Sequence, residues 1–129
     1  MLTRIEDIAL ITEVGFNDEK KRINLEILMR GSVDGFTARA FHKKCDNKQD
    51  VLCLFESDQG YVFGGFTHVG WTSPLESKKV KDKEAWLFSL THDSVHQQVD
   101  QNVYAIEHNK GYLAIFGSNQ DENDFYIYD

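Results

Sequence analysis

His42, Cys45 and Asp46 are the residues whose types and spacing could do chemistry. On an α-helix, residues three apart share a face, so the imidazole of His42 and the thiol of Cys45 could act as base and nucleophile. Such a pair needs an accessible thiolate of low pKa. Cys45, however, lies on an apolar stripe with Phe41, where a free cysteine behaves as a small hydrophobic residue. Packing is therefore the favoured interpretation, and catalysis or redox sensing by Cys45 and His42 is the alternative.

A structural zinc site is the second chemistry to consider, and it requires four ligands in a tetrahedral arrangement. One set of histidines and cysteines is close enough in the sequence to be imagined as such a site, but its spacing matches no recognised zinc motif. We therefore expect no metal and no other cofactor. The residues of this set are His42, Cys45, Cys53 and His68.

Motifs for hydrolysis, phosphate binding and calcium binding are missing from the sequence. No Gly-x-Ser-x-Gly elbow occurs, and Gly64-Gly65 is not followed by the Gly-Lys-Ser/Thr of a phosphate loop. The acidic residues Asp121, Glu122 and Asp124 lack the glycine and the distal glutamate of an EF-hand loop. The sequence therefore predicts a protein that is not an enzyme.

The composition and charge of the 129-residue chain exclude several classes of protein. A net charge of −7 argues against general nucleic-acid binding and against docking on anionic membranes, because both require basic surfaces. The lysines within residues 78–83 are interpreted as a solvated loop. With two cysteines and no apolar run of the ~20 residues that span a bilayer, we expect a soluble cytoplasmic protein with reduced thiols.

Sequence periodicity predicts two helices and one strand in the first 50 residues. Thr3 to Glu13 is predicted as a helix that opens with a Thr3–Glu6 capping box and stops near Gly15. A half-buried strand is expected from Arg22, because apolar residues then alternate: Ile23, Leu25, Ile27 and Met29. Asp34 is the expected N-cap of the second helix. Its apolar stripe is predicted to comprise Phe36, Ala40, Phe41 and Cys45.

Short β-rich runs separated by turns dominate the rest of the sequence. Val51–Glu56 and Tyr61–Thr67 predict a hairpin, in which Gly64 and Gly65 mark a bulge, a bend or a close backbone approach. A strand over residues 85–90, with Trp86 in the core, lies between loops at 71–83 and 91–102. A second hairpin (103–107 and 112–116) and a last strand (125–128) follow. These six or seven strands and two helices predict a mainly β fold, an antiparallel two-sheet β-sandwich with flanking short helices.

Four blocks of sequence, in the same order, resemble the TLDc domain family. The first block runs from Gly35 to Lys48 and is similar to a family helix in which Gly-Phe-Ser/Thr is followed by Phe-His-x-Lys-Cys-Asp. The others resemble a glycine-bearing strand, a tryptophan turn and a Phe-Leu-Phe-Ser-Leu strand. These three blocks are Gly60–Thr67, Trp71–Ser73 and Ala85–Leu90.

The resemblance implies a non-enzymatic protein-interaction module from a eukaryote, linked to oxidative-stress protection. It also implies binding to the cytosolic sector of the vacuolar-type proton ATPase and regulation of that pump. Family members usually continue for a few tens of residues beyond the position of Tyr128. We therefore expect a single domain over residues 1–129 that is shortened at its C-terminal end and has an unpaired edge strand.

Trp71, Thr72 and Ser73 are the candidate interaction surface. Trp71 precedes a loop, so it is either a buried anchor or an exposed contact, and packing is favoured because most tryptophans are largely buried. Two alternatives to a binding module stay open. One is a thiol-based antioxidant enzyme or redox sensor that uses Cys45. The other is an inactive fragment that self-associates through its open edge. The sequence leaves the oligomeric state undetermined.

Overall fold

Two four-stranded antiparallel sheets make up most of the structure, a computed structural model that describes residues 9–16, 23–100, 103–118 and 122–128. The predicted mainly β, two-sheet fold is confirmed. The first sheet has the order β1-β2-β4-β5 and the second has the order β3-β6-β7-β8. The strands are β1 Val51–Glu56, β2 Val62–Thr67, β3 Lys78–Val80, β4 Trp86–Ser89, β5 Ser94–Gln97, β6 Tyr104–His108, β7 Ile115–Ser118 and β8 Phe125–Tyr126. The helices are a π-helix Leu10–Gly15 and the α-helices α1 Gly31–Asp34 and α2 Ala38–Cys45.

The main core lies between the two sheets. Val51 and Cys53 of the first sheet pack in one cluster with Ile106 and Phe116 of the second. Gly65, in the middle of β2, permits this approach, because a Cβ at that position would lie 2.8 Å from the ring of Phe116. The ring of Phe116 in the second sheet thus packs directly against the backbone of β2 in the first sheet.

A second core lies on the outer face of the first sheet, under the π-helix. Ile11 packs there with Phe66 and Trp86. Gly15 sits so close to the indole of Trp86 that a Cβ would come within 2.4 Å of it. The first sheet is therefore buried on both faces. The predicted end of this helix near Gly15 is confirmed, whereas the predicted start at Thr3 and its capping box with Glu6 lie outside the described residues.

Residues 23–30 form no strand, so the strand predicted there from alternation is wrong. Leu25 and Ile27, which the pattern turns toward the core, are 58% and 65% exposed. The neighbouring Leu28 and Met29 pack against the main core instead. Alternation describes how a strand would distribute its side chains, but a strand also needs a partner that accepts its backbone hydrogen bonds.

Helix α2 begins later than predicted. Its N-cap is Thr37, whose hydroxyl accepts a hydrogen bond from the N–H of Ala40 at 3.1 Å. Asp34, the predicted cap, belongs to α1 and accepts from the N–H of Arg30 at 2.8 Å. Because Phe36 precedes the true cap, it lies outside the apolar stripe and is 70% exposed. Of the rest of the predicted stripe, Phe41 and Cys45 are buried, whereas Ala40 is half-buried and the unpredicted Ala38 lies in the core.

The first predicted hairpin is confirmed, with an unbroken register from Val51 opposite Thr67 to Glu56 opposite Val62. The close approach anticipated for the glycine pair is also confirmed. A Cβ on Gly64 would lie 1.9 Å from the carbonyl oxygen of the neighbouring strand's Cys53. Since the register is continuous there, no bulge accompanies the glycines.

Two of the eight described strands lie where loops were predicted. They are β3, within the predicted loop 71–83, and β5, within the predicted loop 91–102. Both are edge strands of three or four mostly polar residues, so they carry almost no apolar alternation that a pattern could detect. The second hairpin is present, but β7 begins at Ile115 instead of Tyr112 because the turn is longer than expected.

Candidate functional site

The end of helix α2 carries a polar cluster in which His42 is the central group. Its side chain is buried, and its Nδ1 lies 2.6 Å from a carboxylate oxygen of Asp46. Its Nε2 lies 3.0 Å and 2.9 Å from the carbonyl oxygens of Asn109 and Tyr112, in the turn between β6 and β7. These partners occupy both ring nitrogens. Neither nitrogen is thus left to contact a nucleophile.

Asp46 continues this cluster toward the loop of residues 68–77, which joins β2 to β3. Its second carboxylate oxygen accepts from the hydroxyl of Ser73 at 2.5 Å. The order is therefore hydroxyl, carboxylate, imidazole. A nucleophilic triad requires the imidazole in the middle, next to the hydroxyl. What the arrangement does instead is fasten the 68–77 loop to α2.

Two further hydrogen bonds hold the same loop, one to β6 and one to the end of α2. The N–H of Thr72 donates to Nδ1 of His108 at 3.2 Å, and the N–H of Asn47 donates to the carbonyl oxygen of Trp71 at 2.9 Å. Burial is the main cause that lowers the pKa of His108, and the positive charge of Lys78 lowers it further. A neutral His108 suits this geometry, because Nδ1 must be unprotonated to accept.

Asp82 holds the start of the same loop from inside the protein. One of its carboxylate oxygens lies 2.7 Å from the hydroxyl of Thr67, 2.7 Å from the N–H of His68 and 3.2 Å from the N–H of Val69. The other accepts from the N–H of Glu84 at 3.0 Å. Sequence reasoning missed this residue, because an aspartate between two lysines is typical of a solvated surface.

Trp71 is fully buried and takes part in the core. Its ring packs edge-on against Phe41 and Phe116, with centroids 5.4 Å and 5.3 Å apart. The favoured packing interpretation thus agrees with its position, and its side chain is not available to a partner. Thr72 is half-buried, whereas Ser73 is exposed. That this loop contacts a partner stays a prediction.

Both thiols are buried and free. Burial, followed by the negative charges of Asp46 and Asp34, raises the pKa of the Cys45 thiol to about 11. The pKa of Cys53 is raised more strongly, again by burial and then by Cys45. Since the thiolate is the reactive form, neither cysteine has the environment of a nucleophile. His42, the predicted partner of Cys45, binds Asp46 instead.

His68, the fourth residue of the imagined zinc set, lies on the surface. Its Nδ1 is 2.6 Å from a carboxylate oxygen of Asp50 and 3.9 Å from one of Glu84. The hydrogen bond to Asp50 raises the pKa of His68 above its ordinary value, and the charge of Asp50 adds to the effect. Among the described residues, no three or more His, Cys, Asp or Glu side chains are grouped so that they could hold a metal ion.

The polar cluster of His42, Asp46 and Ser73 does not line either of two surface grooves. One groove, of about 430 Å³, opens at the edge between the sheets and is lined in part by Leu87 and Ala105. The other, of about 120 Å³, lies beside Tyr126. These three side chains therefore serve as a structural attachment, and only the carbonyl partners of His42, Asn109 and Tyr112, belong to residues that line the smaller groove.

A family model described as the TLDc domain matches residues 3–129 of the chain. No curated protein matches the chain. Within the described residues, no helix has the length and apolar character needed to cross a membrane.

Proposed function

Because the chain belongs to the TLDc domain family, we propose that it is a non-enzymatic protein-interaction module. Its proposed partner is the cytosolic sector of the vacuolar-type proton ATPase, which it regulates. Its proposed location is the cytoplasm of a eukaryotic cell. Its proposed cellular role is protection against oxidative stress. The observation that carries the proposal is the family match over residues 3–129. Membership alone does not fix a function, so the partner needs a direct test.

The hydrogen-bond partners of the polar side chains support a binding role over a catalytic one. His42 is hydrogen-bonded to Asp46 and to backbone carbonyl oxygens, and the hydroxyl of Ser73 is bound to Asp46. Cys45 is buried and its pKa is about 11. In each case the atoms that chemistry would use are occupied or shielded. The thiol-enzyme alternative therefore receives no support from these contacts.

The 68–77 loop has the properties of a preorganised binding surface. It is anchored at its start by Asp82, in its middle by His108 and Asp46, and by the buried ring of Trp71. Beyond these anchors it presents Leu75, whose side chain is 91% exposed. A loop that is already ordered loses little conformational entropy on binding, so more of its contact energy appears as affinity.

The surface can be tested with two matched substitutions of exposed apolar residues. We expect Leu75→Ser to weaken binding to the purified cytosolic sector of the pump by about tenfold or more, as for a contact of ~1.4 kcal/mol. Val99→Ser, in the loop after β5, removes an equally exposed side chain and should leave binding unchanged. The two dissociation constants are compared by biolayer interferometry. Equal affinities for Leu75→Ser and the unmodified protein would place the interface elsewhere.

A further inference from the structure

The single proline of the chain directly follows a serine. This pair, Ser73-Pro74, is therefore the only Ser-Pro or Thr-Pro sequence among the 129 residues. Serine followed by proline is the minimal sequence that proline-directed protein kinases recognise, since proline lacks a backbone N–H and has a fixed φ. The sequence thus contains one acceptor of this type, and the structure shows where it lies.

Ser73 lies in a part of the protein that an enzyme can reach. It is exposed and occurs between β2 and β3, where residues 71–77 belong to no helix or strand. Leu75, two residues further along, is almost wholly exposed. Exposed loop positions are where functional and modified side chains concentrate, and at Ser73 the one side-chain contact that an enzyme must break is the hydrogen bond to Asp46.

The hydroxyl of Ser73 is also the group that attaches the exposed part of the loop to the end of α2. It donates to Asp46 at 2.5 Å, and Asp46 in turn binds His42. A phosphate ester at this oxygen has no hydrogen to donate and carries a charge of about −1.5 to −2 at pH 7. Placed against the carboxylate of Asp46, it would replace an attraction by a repulsion.

We propose that Ser73 is a phosphorylation site for a proline-directed protein kinase, and that its phosphorylation breaks the contact of Ser73 with Asp46 and detaches the exposed residues 73–77 from the end of helix α2. In the reaction, Oγ of Ser73 forms a bond to the γ-phosphorus of ATP. The bond from that phosphorus to the bridging oxygen breaks, and ADP leaves with the electron pair. The hydroxyl proton passes to a base of the kinase.

The detachment is local. The hydrogen bonds from His42 to Asp46 and to the turn between β6 and β7 do not involve Ser73, and neither do the contacts of Asp82. The sheets therefore stay intact while the exposed part of the loop is released.

The acceptor is tested on the folded, purified chain with ATP and a mitogen-activated or cyclin-dependent kinase, with mass spectrometry to locate the phosphate. We expect about one phosphate per chain, at Ser73. Ser73→Ala should abolish it and Pro74→Ala should slow it about tenfold or more. Ser77→Ala is the matched control, because Ser77 is exposed in the same loop but precedes Lys78. The Ser77→Ala variant should be phosphorylated at Ser73 as fast as the unmodified protein.

Either of two results would overturn the assignment of the acceptor. One is a folded chain without phosphate at Ser73 while the same kinase modifies a short Ser-Pro peptide. The other is modification of Ser73 only after denaturation. The detachment is tested separately by hydrogen–deuterium exchange. Phosphorylation should speed exchange in residues 73–77 by about tenfold, as expected for the loss of one charged hydrogen bond, and leave β2 unchanged. Unaltered exchange in residues 73–77 would refute the detachment.

Discussion

At the scale of single residues, burial decides whether a reactive side chain can react. Cys45 shows this clearly, because its neighbours in the sequence suggest chemistry whereas its surroundings in the fold suppress it. The apolar stripe that it shares with Phe41 was enough to predict its burial. The partners of His42 were not predictable, because the carbonyl groups of Asn109 and Tyr112 lie 67 and 70 residues away in the chain.

Alkylation of Cys45 in the native protein should be slow and should show no step near neutral pH. The reason is its thiol pKa of about 11, which leaves about one molecule in ten thousand as thiolate at pH 7. The rate is measured with iodoacetamide as a function of pH, and the same protein in denaturant, where a thiol titrates near pH 8.5, is the control. A fast reaction with a midpoint below about pH 8 would support the thiol-enzyme alternative instead.

Asp50→Asn should lower the pKa of His68, because the hydrogen bond and charge of Asp50 are what raise it. Since the pKa is raised on folding, the pair stabilises the protein fully below the unfolded value of about 6.5. That contribution is lost as the pH rises through the folded pKa. It is small, because the pair is exposed. The titration is followed by NMR of the imidazole protons, with Asp58→Asn as the control. An unchanged His68 titration in Asp50→Asn would contradict this assignment.

At the scale of elements, the sequence predicts strands that have strong apolar patterns and misses those that depend on a partner. The β1–β2 hairpin was predictable from two β-rich runs and a four-residue turn. The polar edge strands β3 and β5 were not, because their pairing with β6 and β4 is what makes them strands. Residues 23–30 show the reverse case, a strand-like pattern without a sheet partner among the described residues.

Asp82→Asn should destabilise the protein by about 1–3 kcal/mol, although it changes only one atom of the side chain. Both carboxylate oxygens of Asp82 accept hydrogen bonds, from His68 and Val69 on one side and Glu84 on the other. In either orientation, the amide nitrogen of asparagine would face a backbone N–H and leave it unsatisfied. The free energy of unfolding is measured by urea denaturation. A loss no larger than that of Asp58→Asn, which alters an exposed turn, would refute the anchoring role.

At the scale of the whole molecule, the first sheet is sandwiched between two cores. The sequence carries a signal for this, because residues 51–55 are apolar at every position and not only at alternate ones. Along β1, alternate side chains thus pack into the core between the sheets, as Cys53 does, or into the outer core with Phe66 and Trp86. This buried scaffold leaves the loops to provide the contacts of a binding module, and the net charge of −7 favours a protein partner over nucleic acid.

The most direct test of the proposed function is an equilibrium titration of the unmodified protein with the purified cytosolic sector of a vacuolar-type proton ATPase. The protein is labelled at its N-terminus and followed by fluorescence anisotropy at physiological salt, because weak electrostatic association is screened there. We predict saturable binding with a dissociation constant of about 1 μM or tighter, which unlabelled protein reverses. Anisotropy that stays flat with an active sector, while an unrelated pump-binding protein gives normal saturation, would contradict the proposal.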